Sequence, residues 1–138
     1  MIKINITKGC APMGEDSDKV AKIVIYDSKK RVLLLKRSKY HKKYAGEMDL
    51  PGGHIKKGEK ITVGLKREVK EETGLSVSGL KFFKRDNNKL FYYAKYKKQP
   101  ISLSDEHVDY GFYSVKDLNP NNKFEKIALE IMETIKNA

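Results

Sequence analysis

The sequence contains one cysteine, Cys10, in 138 residues. No intrachain disulfide is therefore possible, and the chain suits a reducing compartment. The longest aliphatic run, Val32–Leu35, is far too short to span a bilayer. The opening stretch, Met1–Gly14, alternates polar and apolar residues without a continuous apolar run, so no secretory leader is expected. There is no repeat, no low-complexity tract and no linker-like composition. These absences predict a cytoplasmic protein without a membrane partner, built as a single domain over residues 1–138.

Hydrophobic residues make up 39% of the chain, and Leu, Ile, Val, Phe and Tyr recur in every stretch, which excludes global disorder. A chain of this length buries roughly two thirds of the surface that its unfolded form exposes. No metal clip is needed to make a core. The excess of 29 Lys and Arg over 18 Asp and Glu gives a formal net charge of +11. Such an excess concentrates anions near the surface. Because the lysines are scattered, charge alone does not separate a small anionic substrate from a polymer.

Lys3–Thr7 reads as a short edge strand and Cys10–Asp18 as a loop. Val20–Tyr26 and Arg31–Arg37 are β-branched or aliphatic runs around Asp27–Lys30, which predicts a hairpin. A basic loop, Ser38–Gly46, precedes a short strand at Met48–Leu50 and a turn at Pro51–Gly53. Thr62–Thr73 is predicted helical, stopping at Gly74. Strands are expected over Leu75–Arg85 and Leu90–Lys97, joined at Asp86–Asn88, and again over His107–Val115. Asn122 and Glu125 form a capping-box pattern. Beyond it, Phe124, Ile127, Ala128, Ile131, Met132 and Ile135 recur at helical spacing. Strands, helix, strands, helix describe an α/β fold with helices packed on a mixed sheet.

Glu68, Glu71 and Glu72 stand at i, i+3 and i+4 on the first helix, so three carboxylates share one side of it. They fall in its last turns, where the helix dipole disfavours anions. Lys66, Arg67 and Lys70 offset part of this charge on a solvated face. The alternative is a divalent cation: clustered carboxylate oxygens suit hard Mg²⁺ or Mn²⁺, with substrate phosphates and water at the other positions.

The run Gly53, five residues, Glu59, seven residues, Arg67-Glu68-Val69-Lys70-Glu71-Glu72-Thr73-Gly74-Leu75 resembles the Nudix box at every specified position. The flanks resemble the family as well, in the aliphatic Val32–Arg37 and in Asp49-Leu50-Pro51-Gly52-Gly53-His54. The resemblance implies a Nudix-type α/β/α sandwich with a mixed β-sheet and a Mg²⁺- or Mn²⁺-dependent attack of water on a pyrophosphate linkage. Carried over by position, it implies Glu68 and Glu72 as metal ligands, with Glu71 a further ligand or the water-activating base. The Gly53 carbonyl would complete the set, and Gly52 would support the turn. Arg67 and Glu59 would orient the carboxylates.

Leu103–Tyr110 is similar to a Glu-His-x-x-Tyr stretch of diadenosine-polyphosphate hydrolases and of relatives that cleave nucleoside triphosphates. It implies Glu106 as a ligand or base, and leaves open which of Glu68, Glu71 and Glu106 is the general base. The chain has no Trp, although many relatives place one near the Phe112 position.

Arg37, His54 and Tyr92 are substrate-binding candidates, Arg37 through bidentate phosphate contacts and Tyr92 by stacking a base from the strand face it shares with Tyr96. Half-buried strand tyrosines are usually packing residues, however, and core is the favoured reading of Tyr92. Lys39, His41, Lys42 and Lys43 offer further cations near the same strand. The expected activity is hydrolysis of a nucleoside diphosphate linked to another group, with diadenosine polyphosphates or nucleoside triphosphates favoured. An RNA 5′-end pyrophosphohydrolase and a non-catalytic nucleotide-binding Nudix module are the alternatives. Either a monomer or a homodimer fits.

Overall fold

A computed structural model describes residues 18–39 and 46–136. The expected strand at Lys3–Thr7 and most of the two loops at Cys10–Asp18 and Ser38–Gly46 lie outside the described residues, as do His41, Lys42 and Lys43. Ten elements follow in order: β1 (Val20–Tyr26), β2 (Val32–Arg37), β3 (Met48–Asp49), β4 (Gly52–His54), α1 (Ile61–Thr73), β5 (Lys81–Asp86), β6 (Lys89–Lys95), β7 (His107–Tyr113), a 3₁₀ turn (Val115–Asp117) and α2 (Lys123–Lys136).

The sheet is mixed. β1 runs parallel to β6 from Val20↔Lys89 to Tyr26↔Lys95, whereas the pairings β5–β6, β2–β7, β2–β3 and β1–β4 are antiparallel. β1 and β2 form the expected hairpin, but their only Cα register pair is Tyr26↔Val32. Beyond it the strands diverge, and β3 on β2 and β4 on β1 occupy the fork. The Pro51–Gly53 turn is thus partly strand. Gly52 has φ +126, and a Cβ there would run into the Ala21 carbonyl and lie 2.9 Å from Lys22 Cα. Only glycine allows β4 to come this close to β1.

Strand alternation divides the core between two faces. Ala21, Ile23, Ile25, Leu33, Leu35, Leu90, Tyr92 and Ala94 pack with Leu65 and Val69 of α1. Val24, Val32, Leu34 and Phe91 pack on the other side with Phe124, Ile127, Ala128, Ile131 and Met132 of α2. A sheet covered on both faces explains why β1 and β2 read as continuous apolar runs rather than alternating ones. The α/β/α sandwich is therefore present.

Several boundaries differ from the sequence reading, three of them by two residues or more. The strand expected from Leu75 begins only at Lys81, because the backbone groups of Ser76 bond the side chain of Gln99 (2.9 and 3.1 Å) and Gly79 takes φ +63. β6 ends at Lys95, and β7 ends at Tyr113 before the 3₁₀ turn. The capping box is only half made. Asn122 Oδ1 accepts from the Phe124 and Glu125 N–H groups (both 3.0 Å), but the Glu125 carboxylate bonds the Asn119 N–H instead of returning to Asn122.

Candidate active site

α1 ends at Gly74, and two of its last carbonyls are taken by the chain that leads into β7. Ser102 N–H donates to Thr73 O (2.9 Å), and Ser104 N–H donates to Glu72 O (3.1 Å). This capping lashes residues 102–107 to the carboxylate-bearing end of α1. A cleft of about 350 Å³ opens there. Its walls include Gly52, Gly53 and His54 of β4, Glu68 and Glu72 of α1, Glu106, and the cations Lys22, Arg37 and Lys89. Val20, Asp18, Asn88 and Phe124 complete it.

The three helix carboxylates have separate environments. Glu72 is 5% exposed and accepts the Gly52 N–H at 2.9 Å. Burial pushes its pKa up to about 8, with Asp49 and Glu68 adding repulsion and Lys22 and the Gly52 N–H opposing. Glu68 lines the cleft and contacts Gly53 so closely that a Cβ on residue 53 would meet its carboxylate carbon at 2.9 Å. The glycine at 53 thus provides space for a carboxylate. Glu71 points away, with 57% of its side chain exposed, and is not among the cleft walls.

Arg67 holds this set together. It donates to both Glu59 oxygens (2.9 and 3.1 Å), to Glu68 (2.9 Å), to Glu71 (3.3 and 3.4 Å) and to the His54 carbonyl (3.2 Å). One planar fork spans the β4 strand, the loop before α1 and two turns of the helix. The Arg67 hydrogen bonds hold the Glu59 carboxyl down to about 2. Neither Arg67 nor Glu59 lines the cleft. Among the described residues, Lys70 is ion-paired with no carboxylate; it bonds the Gly74 carbonyl and Ser76 at the helix end.

A buried polar cluster behind the cleft was not singled out by the sequence reading. Asp49 has no exposed surface and takes Lys22 Nζ at 3.0 Å, Arg37 at 2.6 Å and His107 Nε2 at 3.0 Å. Burial alone would raise its pKa, but the His107 hydrogen bond and the charges of Lys22 and Arg37 outweigh it and hold the group at about 2. Lys22 also bonds the Leu50 and Gly52 carbonyls (3.0 and 3.2 Å), which anchors β4. A signal was present: Lys22 interrupts an otherwise apolar strand, and a charge at such a position needs a partner.

The substrate candidates are spread unevenly. Arg37 and His54 line the cleft, His54 Nδ1 lying 2.8 Å from Asp18. Tyr92 does not; it belongs to the core on the α1 face, edge-on to Phe82 with ring centroids 5.4 Å apart. Phe112 packs against Tyr96 at 4.9 Å and is also outside the cleft. The aromatic in the cleft wall is Phe124 of α2, which the helical spacing marked only as core.

The donor chemistry fits a divalent cation. One carboxylate oxygen each from Glu72 and Glu106 and one ring nitrogen of His107 lie within 4.8 Å of one another. That spacing lets a single ion touch all three, and carboxylates are its usual ligands.

The NUDIX domain family profile matches residues 17–135. The chain belongs to this family. Among its relatives are two proteins named 8-oxo-dGTP diphosphatase from Buchnera aphidicola. The one from subspecies Acyrthosiphon pisum (strain APS) is 36% identical over 85 residues, 55% of this chain and 65% of the relative. The one from subspecies Schizaphis graminum (strain Sg) is 38% identical over 63 residues, 45% of this chain and 47% of the relative. The match thus spans between about half and two thirds of these relatives. The MutT protein of Methanosarcina mazei Go1 superposes with a TM-score of 0.66 at 26% identity, covering 88% of this chain and 96% of that one. As a NUDIX domain, the chain carries its box from β4 through α1, and the box carboxylates Glu68 and Glu72 face the cleft. Among the described residues, no helix is long and apolar enough to cross a membrane.

Proposed function

We propose that the protein is a Mg²⁺- or Mn²⁺-dependent pyrophosphohydrolase that cleaves nucleoside triphosphates or related nucleoside diphosphate derivatives. The observation that carries this reading is one cleft whose walls hold both the carboxylates Glu68, Glu72 and Glu106 and the cations Lys22, Arg37 and Lys89. A polyphosphate bound through a divalent cation needs both halves: carboxylates for the ion, and cations for the remaining phosphate oxygens. The ion, when bound, neutralises phosphate charge and makes water a better nucleophile.

The chain's own residues supply the rest. Arg67 and Glu59 fix Glu68 at the edge of the cleft, and the Gly52 N–H fixes Glu72. Glu106, on a loop rather than on α1, adds its carboxylate to that of Glu72 for the ion, which leaves Glu68 at the cleft edge to take a proton from water. Arg37 and Lys89 bind phosphate oxygens, with Arg37 held in place by Asp49. His54 and Asn88 both bond Asp18 in the cleft wall, and a base would sit against this group.

The relatives named 8-oxo-dGTP diphosphatase favour a nucleoside triphosphate, oxidised dGTP included, over a diadenosine polyphosphate. A turnover screen with Mg²⁺ decides. dGTP, 8-oxo-dGTP, diadenosine tetraphosphate, ADP-ribose and a 5′-triphosphorylated RNA would be compared, with ¹⁸O-water locating the attacked phosphorus. Release of pyrophosphate and a nucleoside monophosphate from a triphosphate is the expected result. Binding without turnover of any substrate would return the protein to the class of nucleotide-binding modules.

A further inference from the structure

Three ligand atoms, from Glu72, Glu106 and His107, lie within 4.8 Å of one another, and only two of them are the carboxylate oxygens expected at such a site. His107 is the unusual member. Its side chain is 1% exposed. Nε2 is spent on Asp49 Oδ2 at 3.0 Å, and Nδ1 is buried with no hydrogen-bond partner among the described residues. A buried ring nitrogen left without a partner costs free energy unless something occupies it.

The chemistry of its neighbour indicates what that occupant is. Lys22 and Arg37 keep Asp49 a carboxylate, so its Oδ2 accepts a hydrogen bond from His107 Nε2–H rather than donating one. That interaction selects the tautomer with the hydrogen on Nε2 and leaves a lone pair on Nδ1. One ring nitrogen of His107 is grouped with a carboxylate oxygen of Glu72 and one of Glu106, and Nδ1 is the ring nitrogen without a partner, so it is the one open to a cation. A carboxylate bound to the far nitrogen of a histidine is also the usual support for a metal-ligating imidazole, since it fixes the ring and raises its basicity.

We propose that His107 is a ligand of the divalent cation, making a mixed nitrogen–oxygen site with Glu72 and Glu106. The inference rests on the reading of the cleft as a cation site. An imidazole donor shifts preference away from Mg²⁺, which favours all-oxygen surroundings, towards Mn²⁺ and later transition ions. The protein should therefore bind Mn²⁺ more tightly than Mg²⁺ by at least tenfold, and replacing His107 should remove most of that margin while leaving Mg²⁺ affinity within a few-fold.

Pulsed electron paramagnetic resonance of the full chain loaded with Mn²⁺ tests this without reference to turnover. Modulation from a directly bound ¹⁴N is expected, changing to the ¹⁵N pattern when histidine alone is ¹⁵N-labelled. His107→Gln should abolish it, and titration calorimetry with Mn²⁺ and Mg²⁺ on both proteins reads the selectivity. The wild-type spectrum needs no variant, so a folding defect in His107→Gln would not blunt the test. Mn²⁺ bound with no nitrogen coupling would overturn the role of His107 and leave the proposed function standing. Binding of Mg²⁺ but not Mn²⁺ would likewise overturn only the role of His107, and failure to bind either ion would overturn both.

Discussion

At the scale of the residue, the site depends on groups whose surroundings leave them no alternative. Asp49 is the clearest. It neutralises two cations, Lys22 and Arg37, which are themselves largely buried. Removing one member of such a group strands the others, at a cost of about 3–5 kcal/mol. Asp49→Asn should therefore lower unfolding stability by about that amount, read from urea denaturation at pH 7. An unchanged midpoint would mean that Lys22 and Arg37 reach solvent. Gly53 makes the opposite prediction. A Cβ there displaces the tip of the Glu68 side chain, a flexible group able to move aside, so folding should be barely affected. A carboxylate moved by about 1 Å costs up to 10²-fold in turnover. Gly53→Ala should thus melt near the parent temperature and lose about 10–100-fold in kcat/KM.

At the scale of the element, α1 was the most legible part of the chain and also the part most changed by packing. Its end at Gly74 and its Glu68 and Glu72 positions followed from spacing and the αL stop. What spacing could not show was that three carboxylates on one side of a helix would divide between burial and solvent. That depends on β4, a strand hidden inside a Pro-Gly-Gly turn, and on the 102–107 segment bonded to the helix end. Lys22 stands out in its apolar strand, but its pairing with Asp49 was illegible for a related reason: it joins positions 27 residues apart across the β1–β2 fork. Burial of Glu72 has a pH signature. Its ordinary value of 4.5 rises to about 8 in the folded chain. Between those values the folded protein holds a proton that the unfolded chain has released, so this group's contribution falls as pH rises, by up to about 1.4 kcal/mol per unit. Asp49 and Glu59, both held at about 2, act only at the acid end and leave this window clear. In chelator, thermal stability should decline from pH 5 to 8. Glu72→Gln should flatten that slope, and added Mg²⁺, by binding the ionised form, should reduce it in the parent. A parent slope unaffected by either change would mean that Glu72 is ionised throughout.

At the scale of the whole molecule, the question is what a net charge of +11 is for. Among the described residues, the positive groups that face the cleft are few: Lys22, Arg37 and Lys89 share it with the carboxylates, and Lys22 and Arg37 are both bonded to Asp49. A polyphosphate chain of three or four groups, with its cation, would engage all three. A polymer would need cations continuing beyond the cleft mouth, with aromatic faces between them to stack successive bases. Among the described residues, the exposed aromatic side chains Phe82 and Tyr110 lie on different strands, β5 and β7, at opposite sides of the sheet order, and form no such track. The two cases separate by salt. Each phosphate of a single strand that the protein neutralises adds about −0.7 to the slope of log affinity against log salt. A 5′-triphosphorylated oligonucleotide bound only through its end should give the same slope as a mononucleoside triphosphate. Binding would be measured by fluorescence anisotropy between 50 and 300 mM NaCl, in Ca²⁺ to slow cleavage, using both ligands. A slope steeper for the oligonucleotide by two units or more would mean about three further phosphate contacts. The scattered lysines would then form a polymer track, and an RNA end would replace the small nucleotide as the substrate. Equal slopes would leave the excess charge as a long-range attraction for anions, with specificity confined to the cleft.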